Sequence, residues 1–357
     1  MSCLSIGGSR EEVYTPNTGG VAVRSIAEST LVVASRSLEI AHNPGLYQAK
    51  TRHIVCRSGG ATHEAVLQQH DPNPVESRWI DIGANLTNTA FAEDLESVLK
   101  QASAVGVQQI VVTGTSVEES RAALALAHAY PYQLIATAGV HPHDARHWDA
   151  QCAAMLKTLM TDSKVRAAGE TGLDFNRDFS PRPVQERVFE AQLELAGESG
   201  LPVFVHEREA STRVASILRS HRDSLADAVV HCFTGDRDAL RAYLDLDLYI
   251  GITGWVCDER RGLSLQQCIG DIPDNRLMLE TDAPYLLPRT LRPKPKRSRN
   301  VPANLPHLGQ RVADLRQQSL QHVARITRHN AQRFFRLPSD QAENDPVASD
   351  QDRPGCC

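Results

Sequence analysis

The sequence predicts an α/β fold, a (β/α)8 barrel of TIM type, on three observations. Short apolar runs alternate with amphipathic stretches across residues 78–337, eight such runs occur, and several end on a side chain able to bind a metal. The runs are "RWIDIG", "QQIVVTG", "LIATAGV", "VRAAGE", "LPVFVH", "DAVVHCF", "LYIGITG" and "LMLETD". Each is nearly continuous in apolar residues, as strands covered on both faces of a parallel sheet are. Between them, "EESRAALALAHAY", "PVQERVFEAQLELAGESG" and "STRVASILRSHR" repeat apolar residues at spacings of three and four, which predicts helices. Eight strand–helix units in about 250 residues is the size of such a barrel. A doubly wound open sheet has the same alternation, but no GxGxxG fingerprint follows the first run.

Outside the barrel, residues 1–77 lack sustained periodicity and close on the structure-breaking "HDPNPVES". They are expected to be a poorly ordered extension, with a short strand around "STLVVAS" and a helix around "THEAVLQQH". Residues 338–357 are polar and proline-containing, and predict a disordered tail. With 357 residues, 41% of them hydrophobic, the chain can bury a large core. A net charge of −5 excludes a uniformly basic nucleic-acid-binding surface but leaves room for a local basic cleft. No apolar run of about 18 residues and no secretory signal is evident, so a cytoplasmic protein with no membrane partner is expected. The eight cysteines form no CxxC pair, which argues against a zinc ribbon or a disulfide framework.

The chemistry lies at the strand ends. Glu170 closes "VRAAGE", His206 closes "LPVFVH", His231 closes "DAVVH" and Asp282 closes "LMLETD". Strand ends of a barrel converge on one face, so residues distant in sequence meet there. Each alone has an ordinary reading as a loop carboxylate or a structural histidine; four at equivalent positions make a shared site the better account. Two imidazoles with two carboxylates suit a divalent cation: histidines admit zinc or manganese, and carboxylates with water admit magnesium.

Several stretches in register, "GETGLDFNR", "PVFVHER", "VVHCFTG", "YIGITGWVCDERRG" and "LMLETDAPYLLPR", make residues 79–336 resemble the TatD family of metal-dependent deoxyribonucleases. The resemblance implies a (β/α)8 barrel and metal-assisted phosphodiester hydrolysis, commonly from the 3′ end of single-stranded DNA or RNA, in DNA repair or turnover. Many members begin with a paired-histidine motif where this chain has "DIGANLT", placing Gly83, Asn85 and Thr87 at the two histidines and the final Asp. That form resembles the TatD branch itself. It implies one firmly held ion, magnesium first with manganese or zinc as alternatives, on Glu170, His206 and His231, with Asp282 nearby through water. Catalysis is expected from Glu170 and Asp282, the latter orienting or deprotonating the attacking water.

Arg208, two residues after His206, is the candidate for a phosphate oxygen. "GVHPHD" adds His141, resembling a family site position that touches substrate or the leaving oxygen, and His143; a bond to a loop carbonyl is an equal alternative for His141 and the favoured one for His143. The basic run "RTLRPKPKRSRN" supplies Arg289, Arg292, Lys294, Lys296, Arg297 and Arg299 with no acid among them; Lys294, Lys296 and Arg299 are the expected phosphate contacts. Phe175, Phe233, Trp255 and Tyr285 are candidates for base stacking or for core packing. Two rivals stand beside a monomeric exonuclease of single-stranded DNA or RNA. An amidohydrolase of a small ester or amide is disfavoured by the absent first-strand histidine pair. A catalytically inactive nucleic-acid-binding barrel is disfavoured by Glu170, His206, His231 and Asp282 all being present.

Overall fold

The computed structural model describes residues 52–58, 61–67 and 77–338. Its contacts divide the chain into two units, Met1–Val75 and Glu76–Cys357. In the first, β1 (Arg52–Ser58) pairs antiparallel with β2 (Ala61–Leu67), from Arg52↔Leu67 to Ser58↔Ala61. Strand β2 corrects the helix expected around "THEAVLQQH". Thr62, His63 and Val66 are weak helix formers, and the preceding Gly59-Gly60 is a hairpin signature in the sequence. The strand expected around "STLVVAS" and the tail from residue 339 lie outside the described residues.

The second unit is the barrel. Its parallel strands are β3 (Trp79–Ala84), β4 (Val107–Val112), β5 (Leu134–Ala138), β6 (Val165–Asp174), β7 (Val203–Arg208), β8 (Ala228–Val230), β9 (Tyr249–Ile252) and β10 (Leu277–Leu279). They lie side by side in chain order, the succession of a singly wound barrel rather than a doubly wound sheet. Closure runs from β3 to the segment after β10: Ala84 bridges Ala283, Asn85 N–H donates to the Ala283 carbonyl at 2.7 Å, and Asp282 N–H donates to that of Gly83 at 2.8 Å. Between the strands lie α1 (Leu95–Ala104), α2 (Val117–Ala129), α3 (Ala150–Leu159), α4 (Arg182–Ser199), α5 (Ser211–His221), α6 (Arg237–Leu244) and α7 (Leu263–Cys268). Helices α8 (Leu305–Arg316) and α9 (Leu320–Phe334) follow the last strand. Among the described residues no helix is long and apolar enough to cross a membrane.

Local chemistry accounts for the element boundaries. Ser116 caps α2, its hydroxyl accepting from Glu119 N–H at 3.1 Å, with Glu118 and Glu119 at the positive end of the helix dipole. Gly200 stops α4 in the left-handed conformation that favours glycine. Inside the barrel each strand contributes a buried apolar side chain, such as Ile82, Val111, Ile135, Ala167, Phe204, Val229, Tyr249 and Met278. Phe334 and Phe335 at the end of α9 close the floor of this core, Phe334 standing edge-on to Tyr249 at 5.5 Å. Outward-facing strand residues pack under the helices as a second, larger core. With its lower half filled with hydrocarbon, the barrel's polar side chains emerge together at the C-terminal end.

Candidate metal centre

Strand β6 builds the centre. It runs four residues beyond Glu170, to Asp174, where the sequence predicted an end at Glu170. Gly169 and Gly172 permit the extension, with φ of 137° and 144°. A Cβ would lie 2.3 Å from the Phe204 carbonyl oxygen at Gly169 and 2.0 Å from that of His206 at Gly172. Only glycine lets β6 and β7 approach so closely. Along β7 the period of two puts Phe204, His206 and Arg208 on one face, Phe204 below in the core and His206 above it. His231 follows β8 directly and its ring stacks on Phe204 at 4.5 Å.

These elements bring three imidazoles onto one oxygen. Glu170 Oε1 lies 2.8 Å from His206 Nδ1, 2.8 Å from His231 Nε2 and 3.3 Å from His141 Nε2. Burial alone would raise the Glu170 carboxyl, but the charges of His231 and His141 and the hydrogen bonds of His141 and His206 hold it well below the usual carboxylate range. Conversely, burial would depress His231, and Glu170 and Glu280 instead raise it well above the ordinary imidazole value. Donor atoms of His141, Glu170 and His206 lie within 4.8 Å of one another. His206 Nε2 is buried with no hydrogen-bond partner, an unsatisfied nitrogen in a polar site. Nitrogen and carboxylate donors so converged, one of them unsatisfied, fit a divalent cation.

The histidines are not equivalent. His141 Nδ1 accepts the His143 N–H at 3.1 Å, so its neutral ring carries the proton on Nε2. Burial and the neighbouring His206 pull its pKa down to about 4, which keeps that ring neutral at pH 7. His141 therefore presents an N–H donor to the site rather than a lone pair. His231 has the opposite arrangement: Nδ1 faces Glu280 Oε2 at 3.3 Å, so in the neutral ring Nδ1 carries the proton and Nε2, now against Glu170, the lone pair that would ligate. His143 Nε2 contacts Asp174 Oδ2 at 2.7 Å, not a loop carbonyl.

Asp282 stands at the closure of the barrel, accepting from Asn85 Nδ2 at 3.0 Å. Removal from water pushes its carboxyl up to about 7, Glu170 and Glu280 reinforcing the shift and His231 opposing it. Asn85 thus serves the site from one of the missing-histidine positions. Three acids escaped the sequence reading. Asp174, 3.6 Å from His206 Nε2, ends β6. Glu280 is fully buried behind His231. Asp81 accepts from Thr281 N–H at 2.8 Å and from the Thr281 hydroxyl at 2.5 Å, sewing the first strand to the last. The first acid of "ETD" and the last of "TGLD" were the available signals.

Around the rim, Arg208 lies 5.3 Å from the Trp255 ring, with no carboxylate in salt-bridge range among the described residues. Arg261 flanks the same ring at 4.6 Å and is paired, as is Arg289, with Asp258. Lys294 and Lys296 are exposed. Arg299 departs from its expected role: it grips Asp94 with bonds of 2.8 and 2.7 Å and donates to the Ala90 carbonyl, fastening the loop after β3. Of the aromatics, Phe233 is core, 1% exposed and edge-on to Tyr243, because its strand end turns inward under α6. Phe175 is half-buried under Arg182, and Tyr285 is exposed.

The family model for TatD related DNase matches residues 80–336. The chain belongs to the TatD family. Among TatD relatives, the 3′-5′ ssDNA/RNA exonuclease TatD of Edwardsiella piscicida is 52% identical over 258 residues, 72% of this chain and 99% of that protein. The protein of the same name from Pectobacterium parmentieri is 51% identical over 257 residues, again 72% and 99%. The solved structure of YJJV, a TatD homolog from Escherichia coli K12, superposes with a TM-score of 0.67 at 29% identity, covering 73% of this chain and 99% of that one. A barrel of TatD type implies divalent-metal use, and the His–Glu–His cluster is where its donors meet.

Proposed function

We propose that this chain is a divalent-metal-dependent 3′–5′ exonuclease hydrolysing the phosphodiesters of single-stranded DNA or RNA. The observation that carries the reading is the convergence of His206 and His231 on one oxygen of Glu170 in a chain of the TatD DNase family. Glu170, His206 and His231 would hold the ion, with Asp282 beside it through water. When bound, the ion supplies Lewis acidity at a phosphate oxygen and acidity to water.

The remaining steps belong to the chain's own groups. Asp282, fixed by Asn85 and poised near neutrality, takes the proton of the attacking water. His141, neutral and protonated on Nε2, donates a hydrogen bond to the leaving oxygen, which takes its proton from Asp282 once that carboxyl is protonated. Arg208 meets the developing charge on the phosphate. Lys294 and Lys296 draw in the strand electrostatically; Arg299 is left out of that set because Asp94 already occupies it. Magnesium is the proposed ion, and a cytoplasmic monomer serving DNA repair or turnover the proposed setting.

The test is degradation of a 5′-labelled single-stranded oligonucleotide by metal-stripped protein, with magnesium, manganese or zinc restored singly. The expected result is a ladder shortening from the 3′ end, abolished in Glu170→Ala. Folded protein that cleaves with none of the ions would overturn the reading.

A further inference from the structure

We propose that Phe179, with Arg146 at its carbonyl, forms a stacking subsite for one nucleobase of the bound single strand; this rests on the exonuclease reading and extends the site beyond its metal cluster. Phe179 sits in the loop between β6 and α4, on the C-terminal face of the barrel, and is 53% exposed. A phenyl ring left in water forgoes burial, and here the ring is held in that position. Arg146 Nη1 donates to the Phe179 carbonyl at 3.1 Å. The adjoining Ser180 is fully buried; its hydroxyl donates to the His143 carbonyl at 2.8 Å and accepts from Arg146 N–H at 3.0 Å. Gln185 Nε2 donates to the Ser180 carbonyl at 2.8 Å.

The ring also faces the centre. It stands edge-on to His143 at 4.7 Å, and His143 contacts Asp174, which reaches His206. Two side chains thus separate an exposed aromatic face from a proposed metal ligand. Arg146, at the Phe179 carbonyl, and Arg177, two residues before Phe179 in the same loop, are exposed and have no carboxylate in salt-bridge range among the described residues. Nearby acids are engaged: Asp178 with Arg182 at 2.9 and 2.8 Å, Glu209 with Asn176 at 2.6 Å, and Asp144 with His147 at 3.6 Å. An apolar planar surface with exposed arginines in the neighbouring loops fits an unstacked base and its backbone phosphates. A base inside a duplex has both faces covered, so this subsite selects single strands.

Fluorescence anisotropy of a 5′-labelled thymidine oligonucleotide on the full-length protein in EDTA measures binding without cleavage. Phe179→Ala should weaken binding by about five- to a hundredfold, the range of one base–aromatic stack, with Phe179→Trp restoring it. Replacing nucleosides one at a time by abasic ones should find one position where the wild type loses affinity and Phe179→Ala loses nothing further. Arg146→Ala and Arg177→Ala should each flatten the slope of log affinity against log salt by about 0.7. Wild-type affinity in Phe179→Ala, or equal abasic losses in both proteins at every position, would overturn the subsite. A folded wild type that shows the abasic pattern yet degrades nothing with any ion would sink the exonuclease reading and leave the subsite standing. Failure of the folded wild type to bind at all would remove both.

Discussion

Glu280 lies between two glycines. A Cβ on Gly83 would fall 2.4 Å from Glu280 Oε2, and one on Gly251 would fall 2.7 Å from Oε1, so a side chain at either position requires this carboxylate to shift. One Glu280 oxygen faces His231 Nδ1 and the other accepts the Cys232 N–H at 2.5 Å, so the carboxylate fixes both the orientation and the tautomer of His231. Outer partners of this kind are worth about 10–100-fold in metal affinity. Glu280→Gln should lose about that factor in a chelator-competition titration while keeping its fold; unchanged affinity would reject the role. Asp81 carries a second prediction. Burial, opposed by the bonds from Thr281, pushes its pKa up to about 8, so the folded state favours the neutral acid. The unfolded chain releases that proton near its ordinary value, about 4. Stability from this group is thus complete below about pH 4 and is lost as pH rises through 8. In EDTA, the melting temperature of Asp81→Asn should fall less between pH 5 and 8 than that of the wild type. His206 and His231 lose stability in the same direction, so the difference between the two proteins is the quantity to read.

At the scale of elements, β6 decides whether the cluster assembles. Gly172 has φ of 144°, and a Cβ there would lie 2.0 Å from the carbonyl oxygen of His206. Gly172→Ala sets a methyl group against backbone, which cannot rotate away as a side-chain tip could. The expected cost is at least about 2 kcal/mol, with weakened metal binding because His206 is displaced. Urea midpoints and chelator competition measure the two effects, and a wild-type midpoint would contradict the close-packing account. Strands were legible because both faces of a parallel sheet are buried and read as unbroken apolar runs. Glu170, His206 and His231 were legible for the related reason that a polar residue ending such a run is conspicuous. The course of β6 past Glu170 was hidden, since its glycines look like turn residues until β7 is seen beside them. Asp174 and Glu280 were hidden because a carboxylate's partner on another strand leaves no local trace. The pairing of Arg299 with Asp94 was hidden for the same reason, its partner lying across the barrel closure.

At the scale of the whole molecule, all the proposed machinery belongs to the second unit. The first closure contact is made by Asp81 and the last by Ala283, and the family match begins at residue 80. The relatives align over 72% of this chain yet are themselves 99% covered, so the length they lack corresponds to residues outside the barrel. The floor of the barrel is completed from the other direction, by Phe334, Phe335 and Leu337. Trp79, the first residue of β3, is fully buried, its N–H donating to the Gly106 carbonyl at 2.8 Å and its ring meeting Gly309 of α8. Among the described residues, these anchors of the strand follow it in sequence. A chain beginning at Ser77 should fold with the melting temperature of the full-length barrel transition and degrade single-stranded oligonucleotide at an unchanged rate with the same metal preference. Cutting instead at Asp81 removes Trp79 and Ile80 from the outer and inner cores, and should cost about 3–5 kcal/mol for the tryptophan alone. Thermal melts and the metal add-back assay on both shortened chains separate the cases. A chain from Ser77 that folds but no longer degrades DNA would assign the first 76 residues a part in catalysis.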